Sequence, residues 1–362
     1  KEARPECPKL ISFIASHVNQ SATTAPAPFH LFPRSCASLA ARTLRSPLAV
    51  VPARLLSSAI SRPSVPAMTA NAIVVVNPRA AGGRAARLVG PIEAWLSRHA
   101  PGTPVLAAGA DEIRARLSGL SPGSRVVLVG GDGSVHRLLP GLLAGRLELG
   151  LVPVGTGNDF ARALGVFGLG LEDALARALR APAVPCDAGE LRTPAGSVPF
   201  ASSLSAGFDA AVSRRALAVP GWVGGMPRYL VATLAELVAL KPCRIRVLAD
   251  RRLLHDGEAL FAACLNTPSY GSGMPIAPAA RIDDGALDAV VAGRFGRAGA
   301  LAMLPRLLLG RHLGHPRVLA AQFAELAIEA DAPIPIAADG EPLGETVSLA
   351  VRVLPGALRV AR

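Results

Sequence analysis

The sequence predicts two domains, a parallel α/β domain followed by an antiparallel, sandwich-like β domain. From residue 71 to about residue 180, apolar runs typical of strands alternate with amphipathic stretches typical of helices, which predicts a parallel sheet covered on both faces. The pattern changes near Pro182-Ala-Val-Pro185, and short β-like runs predominate beyond it. A chain of 362 residues is long enough for each domain to have its own core.

The first domain is predicted to contain four strands, each followed by a helix. We expect the strands at residues 72–76, 105–108, 126–129 and 149–153. We expect the helices at residues 84–99, 111–120, 135–144 and 171–179. In the first helix, Leu88, Ile92 and Leu96 recur at the helical spacing and lie on one face.

The second domain is predicted to be rich in short strands. We expect them at residues 197–204, 244–248, 259–265, 287–291, 326–329, 334–337 and 347–353. Helices are expected there only at residues 228–240 and 298–309. This pattern is typical of an antiparallel sandwich. The active site is expected in the cleft between the two domains, because ligand pockets tend to form there.

Charge is distributed unevenly along the chain, whose net charge is +12. Residues 1–67 hold eight Lys or Arg and two Glu, whereas the rest of the chain holds 30 basic and 24 acidic side chains. The body is therefore only mildly basic, which suits an anionic ligand or an anionic membrane surface. Few aromatic residues and no basic stripe interleaved with aromatics argue against a nucleic-acid partner. No apolar run approaches the roughly 18 residues of a membrane-spanning helix.

The first 67 residues are rich in Ser, Ala and Pro and poor in acidic residues. A targeting peptide has this composition, and so does the translation of a stretch upstream of a misassigned start. Because Met68 directly precedes the first predicted strand, we favour a leader that is disordered or artefactual. The five cysteines are scattered without a CxxC pair, which predicts free thiols in a reducing compartment such as the cytoplasm.

Three glycine-rich segments carry most of the functional information: Asn77-Pro-Arg-Ala-Ala-Gly-Gly83, Gly130-Gly-Asp-Gly-Ser134 and Pro153-Val-Gly-Thr-Gly-Asn-Asp-Phe-Ala-Arg162. The first two directly follow predicted strands. Backbone N–H groups at such strand-to-helix turns converge on an anion, and glycine permits a close approach. These segments therefore predict a phosphate site.

The aspartate in the second glycine segment suggests a metal. A phosphate would repel Asp132 unless a divalent cation lay between them, which makes this residue a candidate for a nucleotide–Mg²⁺ site. The alternative is a tight turn in which Asp132 caps the next helix. Since no Walker lysine is present and Lys241 is the one lysine after residue 67, phosphoryl transfer would depend on backbone amides, arginine and metal.

A second acidic set follows in the C-terminal half, as Asp283-Asp-Gly285 with Asp288 and as Asp339-Gly-Glu341. Carboxylates near a phosphoryl donor can hold Mg²⁺ or remove a proton from an acceptor hydroxyl. The alternative is two β-turns, because Asp-Gly is a strong hairpin signal.

An amphipathic pattern covers residues 300–317, where Ala300, Leu301, Leu304, Leu307 and Leu308 share a helical face and basic residues follow. The pattern fits a membrane-docking segment. More often, such a stripe belongs to a helix that packs on the core with a solvated basic side.

The ordered set V-N-P-x-A-x-G-G, G-G-D-G-S, P-V-G-T-G-N-D-F-A-R, Pro278-Ala-Ala-Arg-Ile-Asp-Asp-Gly-Ala-Leu-Asp288 and D-G-E resembles the diacylglycerol kinase catalytic family, most closely its soluble bacterial lipid kinases. The resemblance covers residues 71–362. It implies a Rossmann-like three-layer α/β nucleotide domain (68–183, plus a returning strand near 350–362) and a β-rich lipid-substrate domain (184–349). It also implies ATP-dependent phosphorylation of a lipid hydroxyl at a membrane surface, without a membrane-spanning segment.

The resemblance also implies residue roles. Glu341 matches the proton acceptor, Asp132 the aspartate of the nucleotide–Mg²⁺ site, and Asp187 a further acidic residue in that network. Asp284, with the carbonyls of Arg281 and Ala286, matches a structural Mg²⁺ site. The glycine segments and the resemblance together give the expected nucleotide-binding set: Asn77, Pro78, Arg79, Ala80, Ala81, Gly82, Gly83, Gly130, Gly131, Asp132, Gly133, Ser134, Val135, His136, Arg137, Thr156 and Arg162.

Several positions depart from the family pattern. Ser134, His136 and Arg137 stand where the family usually has Thr, Asn and Glu, which puts a cation beside the phosphate loop. None of these changes removes the expected base or the metal aspartate, so we expect an active ATP- and Mg²⁺-dependent lipid kinase, cytoplasmic and peripherally bound to membranes. Two alternatives remain open, an NAD kinase-like enzyme and a regulator that binds nucleotide or lipid without catalysis. A homodimer is possible, and the acceptor lipid is left undetermined.

Overall fold

The computed structural model describes residues 71–362 except residues 156, 221 and 222. The predicted leader, residues 1–67, lies outside the described residues, and so does the expected nucleotide contact Thr156.

The first half of the described chain alternates strands with helices, as the sequence predicts. The strands are β1 (Ala72–Val76), β2 (Val105–Ala107), β3 (Arg125–Gly130) and β4 (Glu148–Pro153). The helices are α1 (Val89–His99), α2 (Ala110–Leu117), α3 (Asp132–Ala144), α4 (Asp159–Ala163) and α5 (Leu171–Arg180). β3 is buried along its whole length, which is expected of a parallel strand covered on both faces.

The first predicted helix begins later than expected. A 3₁₀ segment, Ala80–Leu88, precedes α1, and Ala81, Gly82 and Gly83 adopt φ angles of 54°, 66° and 88° within it. A run of left-handed residues cannot continue a right-handed helix, and two of its three positions are glycines, which adopt such angles at little cost. The apolar periodicity therefore belongs to α1, which contains Ile92 and Leu96, and to Leu88 at the end of the 3₁₀ segment before it.

The second half is dominated by long strands. These are β5 (Ala183–Thr193), β6 (Gly196–Phe200), β7 (Ser203–Gly207), β8 (Cys243–Ala249), β9 (Arg252–Leu265), β10 (Leu287–Gly293), β11 (Val318–Phe323), β12 (Glu325–Ala338) and β13 (Glu341–Ala361). Its helices are α6 (Phe208–Ala218), α7 (Gly225–Val238) and α8 (Arg297–Leu308), followed by a 3₁₀ turn at His312–Gly314.

Two predictions for this half were wrong in detail. Helix α6 was not predicted. Its buried side consists mainly of small residues such as Ala210, Ala211 and Ala216, which give no strong apolar periodicity. The strand predicted at residues 197–204 is two strands, β6 and β7, and the amide groups between them serve the site described below.

The strands join in one hydrogen-bonded network within the described part of the chain, and its main order is β11-β10-β9-β7-β12-β13-β4-β3-β1-β2. The first four strands pair in parallel, whereas the strands of the second half pair mainly antiparallel. The α/β plus β-rich fold class is therefore confirmed. Strand β13 connects the halves, because Arg359 and Val360 near its end pair in parallel with Glu148 and Leu149 of β4.

Candidate active site

The three glycine-rich segments lie side by side, at the carboxyl ends of β1, β3 and β4. The Asn77 amide of the first segment donates a 3.0 Å hydrogen bond to Oγ of Ser134 in the second. A Cβ atom on Gly131 would lie 2.8 Å from Cα of Gly155 in the third, so the two backbones touch where side chains would not fit. Parallel strands bring their carboxyl ends to one edge of a sheet, which is why separate sequence segments meet here.

Asp132 begins helix α3 and is half-buried against the third glycine segment. Its carboxylate accepts hydrogen bonds from the backbone N–H groups of Asp159 (3.0 Å) and Phe160 (3.2 Å), which start helix α4. It therefore caps a helix, as the alternative interpretation expected, although the helix is not its own. Burial, and next the negative charge of Asp159, raise the pKa of Asp132 to about 7. The carboxyl groups of Asp132 and Asp159 thus form a site with excess negative charge.

Asp159 ties the glycine surface to a loop of the second half. Its carboxylate accepts a hydrogen bond of 2.8 Å from each of Ser269 Oγ, Ser272 N–H and Gly273 N–H. These partners lie more than 100 residues away along the chain, so no local pattern in the sequence could predict them. The loop therefore holds Asp159 rigidly beside Asp132.

Asp339 and Gly340 form the two-residue turn that joins β12 to β13. Their φ angles are 50° and 82°, as a type I′ hairpin turn requires, and Ala338 pairs with Glu341 across it. The hairpin signal in the sequence is therefore confirmed. The turn also places Glu341 as the first residue of β13.

The carboxylate of Asp339 fixes this turn to the rest of the fold. It accepts hydrogen bonds from the backbone N–H groups of Ala201 (3.0 Å), Ser202 (2.7 Å) and Ser203 (3.1 Å), at the break between β6 and β7. A fourth bond, of 3.0 Å, joins its Oδ2 to Nδ1 of His136 on α3. A buried carboxylate with four partners is held in one position, so the residue after the turn is held as well.

His136 links the second glycine segment to the same turn. Burial alone would lower its pKa, but the hydrogen bond and charge of Asp339, together with the charge of Glu341, raise the pKa above its ordinary value. The Asp339 carboxylate therefore favours the protonated form of the imidazole. This gives His136, one of the departures from the family pattern, a role in connecting α3 with the β12–β13 turn.

Glu341 lies directly against the first turn of α3. A Cβ atom on Gly133 would lie only 2.5 Å from its Oε1. The Arg137 guanidinium lies 3.4 Å from the same oxygen, and the Glu341 side chain is 29% exposed. The glycine at position 133 therefore gives this carboxylate room at the positive end of a helix, beside the phosphate loop.

An apolar cavity opens beside this group. It includes about 810 Å³ of space between helices α6, α7 and α8 and strands β9 and β10, part of it open to solvent. Among its walls are Leu237, Phe261, Met274, Phe295, Met303 and Leu304. A pocket with this apolar lining suits an apolar chain.

A smaller polar pocket adjoins the cavity. Asp132, Asp159, Asp339 and Gly340 line this pocket, and both spaces share Tyr229. The Tyr229 hydroxyl lies 3.4 Å from the position that a Cβ atom on Gly340 would occupy. Tyr229 therefore lies between the apolar cavity and the turn that carries Glu341.

A half-buried polar pair lies in the apolar wall. The Tyr270 hydroxyl donates a hydrogen bond to Asp209 at the start of α6, and burial raises the pKa of Asp209 to about 7 although this bond lowers it. Sequence reasoning missed both residues and Tyr229. One signal was present, since Tyr229 and Tyr270 are the two tyrosines of the chain and both line the site.

The expected structural metal loop lies at residues 281–286. Asp284 accepts hydrogen bonds from the Ala286 N–H (3.2 Å) and the Gln322 side chain (3.2 Å). Burial, and next the charge of Asp284, raise the pKa of Asp288. Two carboxylates thus lie near each other without a basic partner between them. Arg281 belongs to the same loop, where its side chain pairs with Asp283 at 2.9 Å.

Asp187 is grouped with this loop. Its carboxylate accepts 2.7 Å hydrogen bonds from the N–H groups of Gly285 and Gly356, and its own N–H donates to the Ile282 carbonyl. The resemblance had grouped Asp187 with Asp132. In the structure, the Asp187 carboxylate instead joins the loop to β13 through these hydrogen bonds.

The remaining expected nucleotide residues surround the glycine surface. Arg79 is exposed after β1, and its N–H donates to the Asn77 side chain (3.1 Å). Arg162 stacks on Phe167, with 3.6 Å from its guanidinium carbon to the ring centre. Among residues 71–155, 157–220 and 223–362, no three carboxylate, imidazole or thiol side chains form a ready metal-binding cluster. No helix in that part of the chain is both long and apolar enough to cross a bilayer.

Comparisons with known proteins agree with this geometry. Residues 71–191 match the family model of the diacylglycerol kinase catalytic domain, and residues 202–362 match that of the YegS C-terminal NAD kinase beta sandwich-like domain. The chain is 30% identical over 295 residues to a diacylglycerol kinase of Mycobacterium tuberculosis, covering 80% of this chain and 94% of the relative.

Two further proteins extend the comparison. The chain is 33% identical over 238 residues to a Pseudomonas aeruginosa protein named "Probable lipid kinase YegS-like", covering 65% of this chain and 75% of the relative. The crystal structure of a diacylglycerol kinase from Bacillus anthracis superposes with a TM-score of 0.60 at 19% identity, covering 80% of this chain and 96% of that one. At that identity, the structural likeness supports the fold.

Proposed function

Because the chain belongs to the diacylglycerol kinase catalytic-domain family and is a lipid kinase, we propose that it transfers the γ-phosphate of ATP, with Mg²⁺, to the hydroxyl of diacylglycerol or a related lipid. One observation carries this proposal. The Glu341 carboxylate lies against the first turn of the glycine-loop helix, and the Asp339–Gly340 turn before it lines a polar pocket that shares Tyr229 and Tyr270 with the apolar cavity.

The lipid acceptor would occupy the apolar cavity. Its acyl chain would lie among side chains such as Phe261, Phe295 and Leu304, which removes apolar surface from water at roughly 25 cal/mol per Å². Its hydroxyl would then lie in the polar pocket, close to the Asp339–Gly340 turn. The cavity thus supports a lipid acceptor over a soluble dinucleotide.

Glu341 would act as the general base. As the acceptor oxygen forms its bond to the γ-phosphorus, the bond from that phosphorus to the β–γ bridging oxygen breaks, and the hydroxyl proton passes to the carboxylate. The products are the phosphorylated lipid and ADP, and Glu341 then returns the proton to water. Positioning matters most in such a step. The rigid turn at Asp339 provides this positioning.

The donor would lie along the glycine surface. The N-terminus of α3 and the backbone amides of residues 130–134 suit the phosphate oxygens. The Arg137 and Arg79 side chains are exposed nearby and supply the positive charge that a Walker lysine supplies elsewhere.

The residues present fit Mg²⁺ at two places. Asp132, with its pKa raised beside Asp159, has the excess negative charge and the oxygen donors that this ion prefers. Asp284, with the carbonyls of Arg281 and Ala286, is the proposed structural site, next to the crowded carboxyl of Asp288. When bound at the first site, Mg²⁺ would offset negative charge on the phosphates.

The acceptor class can be tested with the native chain. It is incubated with ATP labelled at the γ-phosphate, Mg²⁺ and one acceptor at a time, dispersed in detergent: diacylglycerol, a sphingoid base, ceramide, phosphatidylglycerol or NAD. We expect label in a lipid, foremost in diacylglycerol. Label in NAD alone would contradict the proposal, and ATP binding without transfer to any acceptor would indicate a regulator.

A further inference from the structure

Helices α7 and α8 form one wall of the apolar cavity. Tyr229, Thr233 and Leu237 of α7 and Met303 and Leu304 of α8 face into it. The stripe that the sequence showed on α8 is therefore divided between two environments. Ala300, Leu304 and Leu307 line the cavity, whereas Leu301 is exposed on the other side.

The outer side of this wall is unusually apolar. Val231, Leu234, Val238, Leu301 and Leu309 have between 49% and 74% of their surface exposed, and we call these five residues the outer face. Half of the ten exposed large apolar residues of the described chain lie in this one wall. On α7 they recur at positions i, i+3 and i+7, which places them in one stripe.

Positive charge is concentrated in the segment that contains α8, which supplies two residues of the outer face. From Asp288 to Glu325 the sequence has no acidic residue, but it has five arginines and two histidines. Arg297, Arg306 and Arg311 are exposed and pair with no carboxylate in the part of the chain that the structure describes. The charge of Glu236 on α7 is offset by its ion pair with Arg215.

We propose that the outer face docks on the surface of an anionic lipid bilayer, with its five apolar side chains in the interface and the three arginines at the headgroups. Charge and position together identify this partner. Exposed leucine and valine side chains beside unpaired arginines complement acyl chains beneath anionic headgroups. The same two helices form the wall of the cavity, so a lipid that passes between them from the bilayer enters the cavity directly.

This inference rests on the proposed function only for the route of the lipid, and the docking itself is separable. Binding is measured by co-sedimentation with vesicles of phosphatidylcholine alone, or with about one third phosphatidylglycerol. We expect the native chain to bind the anionic vesicles and added salt to weaken this binding.

Two pairs of variants test the face. In Arg306→Gln/Arg311→Gln, partitioning to anionic vesicles should fall about 30-fold, from roughly fivefold per arginine. In Leu234→Ser/Leu301→Ser, binding should also fall. The matched apolar control is Leu253→Ser/Val347→Ser, at residues 56% and 47% exposed on strands β9 and β13. This control should bind like the native chain.

Turnover separates docking from catalysis. With a short-chain lipid dispersed in detergent, the outer-face variants should keep native turnover, whereas with vesicle-embedded lipid they should lose it in proportion to binding. Three results would each overturn the proposal. They are native binding by both variants, a loss of binding in the control equal to that in the outer-face variants, and turnover losses that are equal in detergent and in vesicles. A variant that converts a dimer of the native chain to a monomer would also overturn it, since the face would then bind a second copy. Vesicle binding by a native chain that phosphorylates no lipid would support docking and contradict the proposed function.

Discussion

Replacing Gly133 with alanine tests whether the position of Glu341 matters for turnover. Gly133 is the second residue of α3, and its φ angle is not in the left-handed region, so the backbone accepts alanine. The obstacle is the Glu341 carboxylate, whose Oε1 would lie 2.5 Å from the new Cβ atom. Since an ordinary contact begins near 3.4 Å, the carboxylate must move by about 1 Å.

The expected effect falls on catalysis and spares stability. A misplacement of about 1 Å can cost about 10²-fold in rate, equal to about 2.7 kcal/mol in the barrier. Folding should not suffer, because the end of a partly exposed, flexible side chain can move at little cost, and alanine is a better helix former than glycine by up to about 1 kcal/mol.

The assay measures kcat for lipid phosphorylation, ATP affinity and the melting temperature of Gly133→Ala. The matched control is Gly141→Ala in the same helix, where the nearest atom to a new Cβ is a Leu117 methyl at 3.7 Å. We expect kcat to fall about 10²-fold in the first variant and stay native in the second. In a Glu341→Ala background, Gly133→Ala should cost little more. Native kcat, or a full additional loss in that background, would refute the reasoning.

Three further predictions concern buried polar groups. The first is Asp209→Asn. The pKa of Asp209 is about 7 in the native state and 3.8 in the unfolded state, so the stability of the native chain falls as pH rises between these values, by up to about 1.4 kcal/mol per pH unit. The melting temperature of the variant should therefore exceed that of the native chain at pH 8 but not at pH 4. The second is Asp339→Asn, for which NMR titration should show a lower pKa of His136. Urea unfolding should show that the free energy of unfolding falls by about 1–3 kcal/mol for each amide left without an acceptor. An unchanged pKa of His136 would contradict its pairing with Asp339. For Arg125→Met, which removes buried hydrogen bonds to Glu148 and to two carbonyls, unfolding in urea should show a loss of about 3–5 kcal/mol, and a loss below about 1 kcal/mol would show that the pair is dispensable.

The meeting of the glycine segments could be predicted from the sequence, because their geometry follows from local order. Each of the first two follows a strand, and parallel strands end at the same edge. The Asp339–Gly340 turn was predictable for the same reason, since two adjacent residues determine it. Glu341 could be placed beside the phosphate loop only through the resemblance, as its contact with Gly133 joins residues more than 200 positions apart.

The apolar cavity could not be predicted. It depends on how α6, α7 and α8 pack over the sheet, and the small residues Ala210 and Ala211 of α6 gave no helical pattern. The stripe on α8 fitted both a core-facing and a membrane-facing helix, because periodicity shows which residues share a face but not what that face contacts. In the structure Leu304 lines the cavity and Leu301 is exposed, so the core-facing interpretation holds for one side of the helix and the membrane-facing one stays a prediction.

The most direct test of the account compares Glu341→Gln with Glu345→Gln. Both residues lie on β13, but Glu345 is an exposed partner of Arg214 and lies outside the proposed site. Transfer of labelled γ-phosphate from ATP to lipid is measured together with ATP binding. The account predicts that Glu341→Gln lowers turnover by about 10²- to 10⁴-fold while ATP still binds, and that Glu345→Gln is native. Native turnover in Glu341→Gln would contradict the claim that this carboxylate accepts the hydroxyl proton.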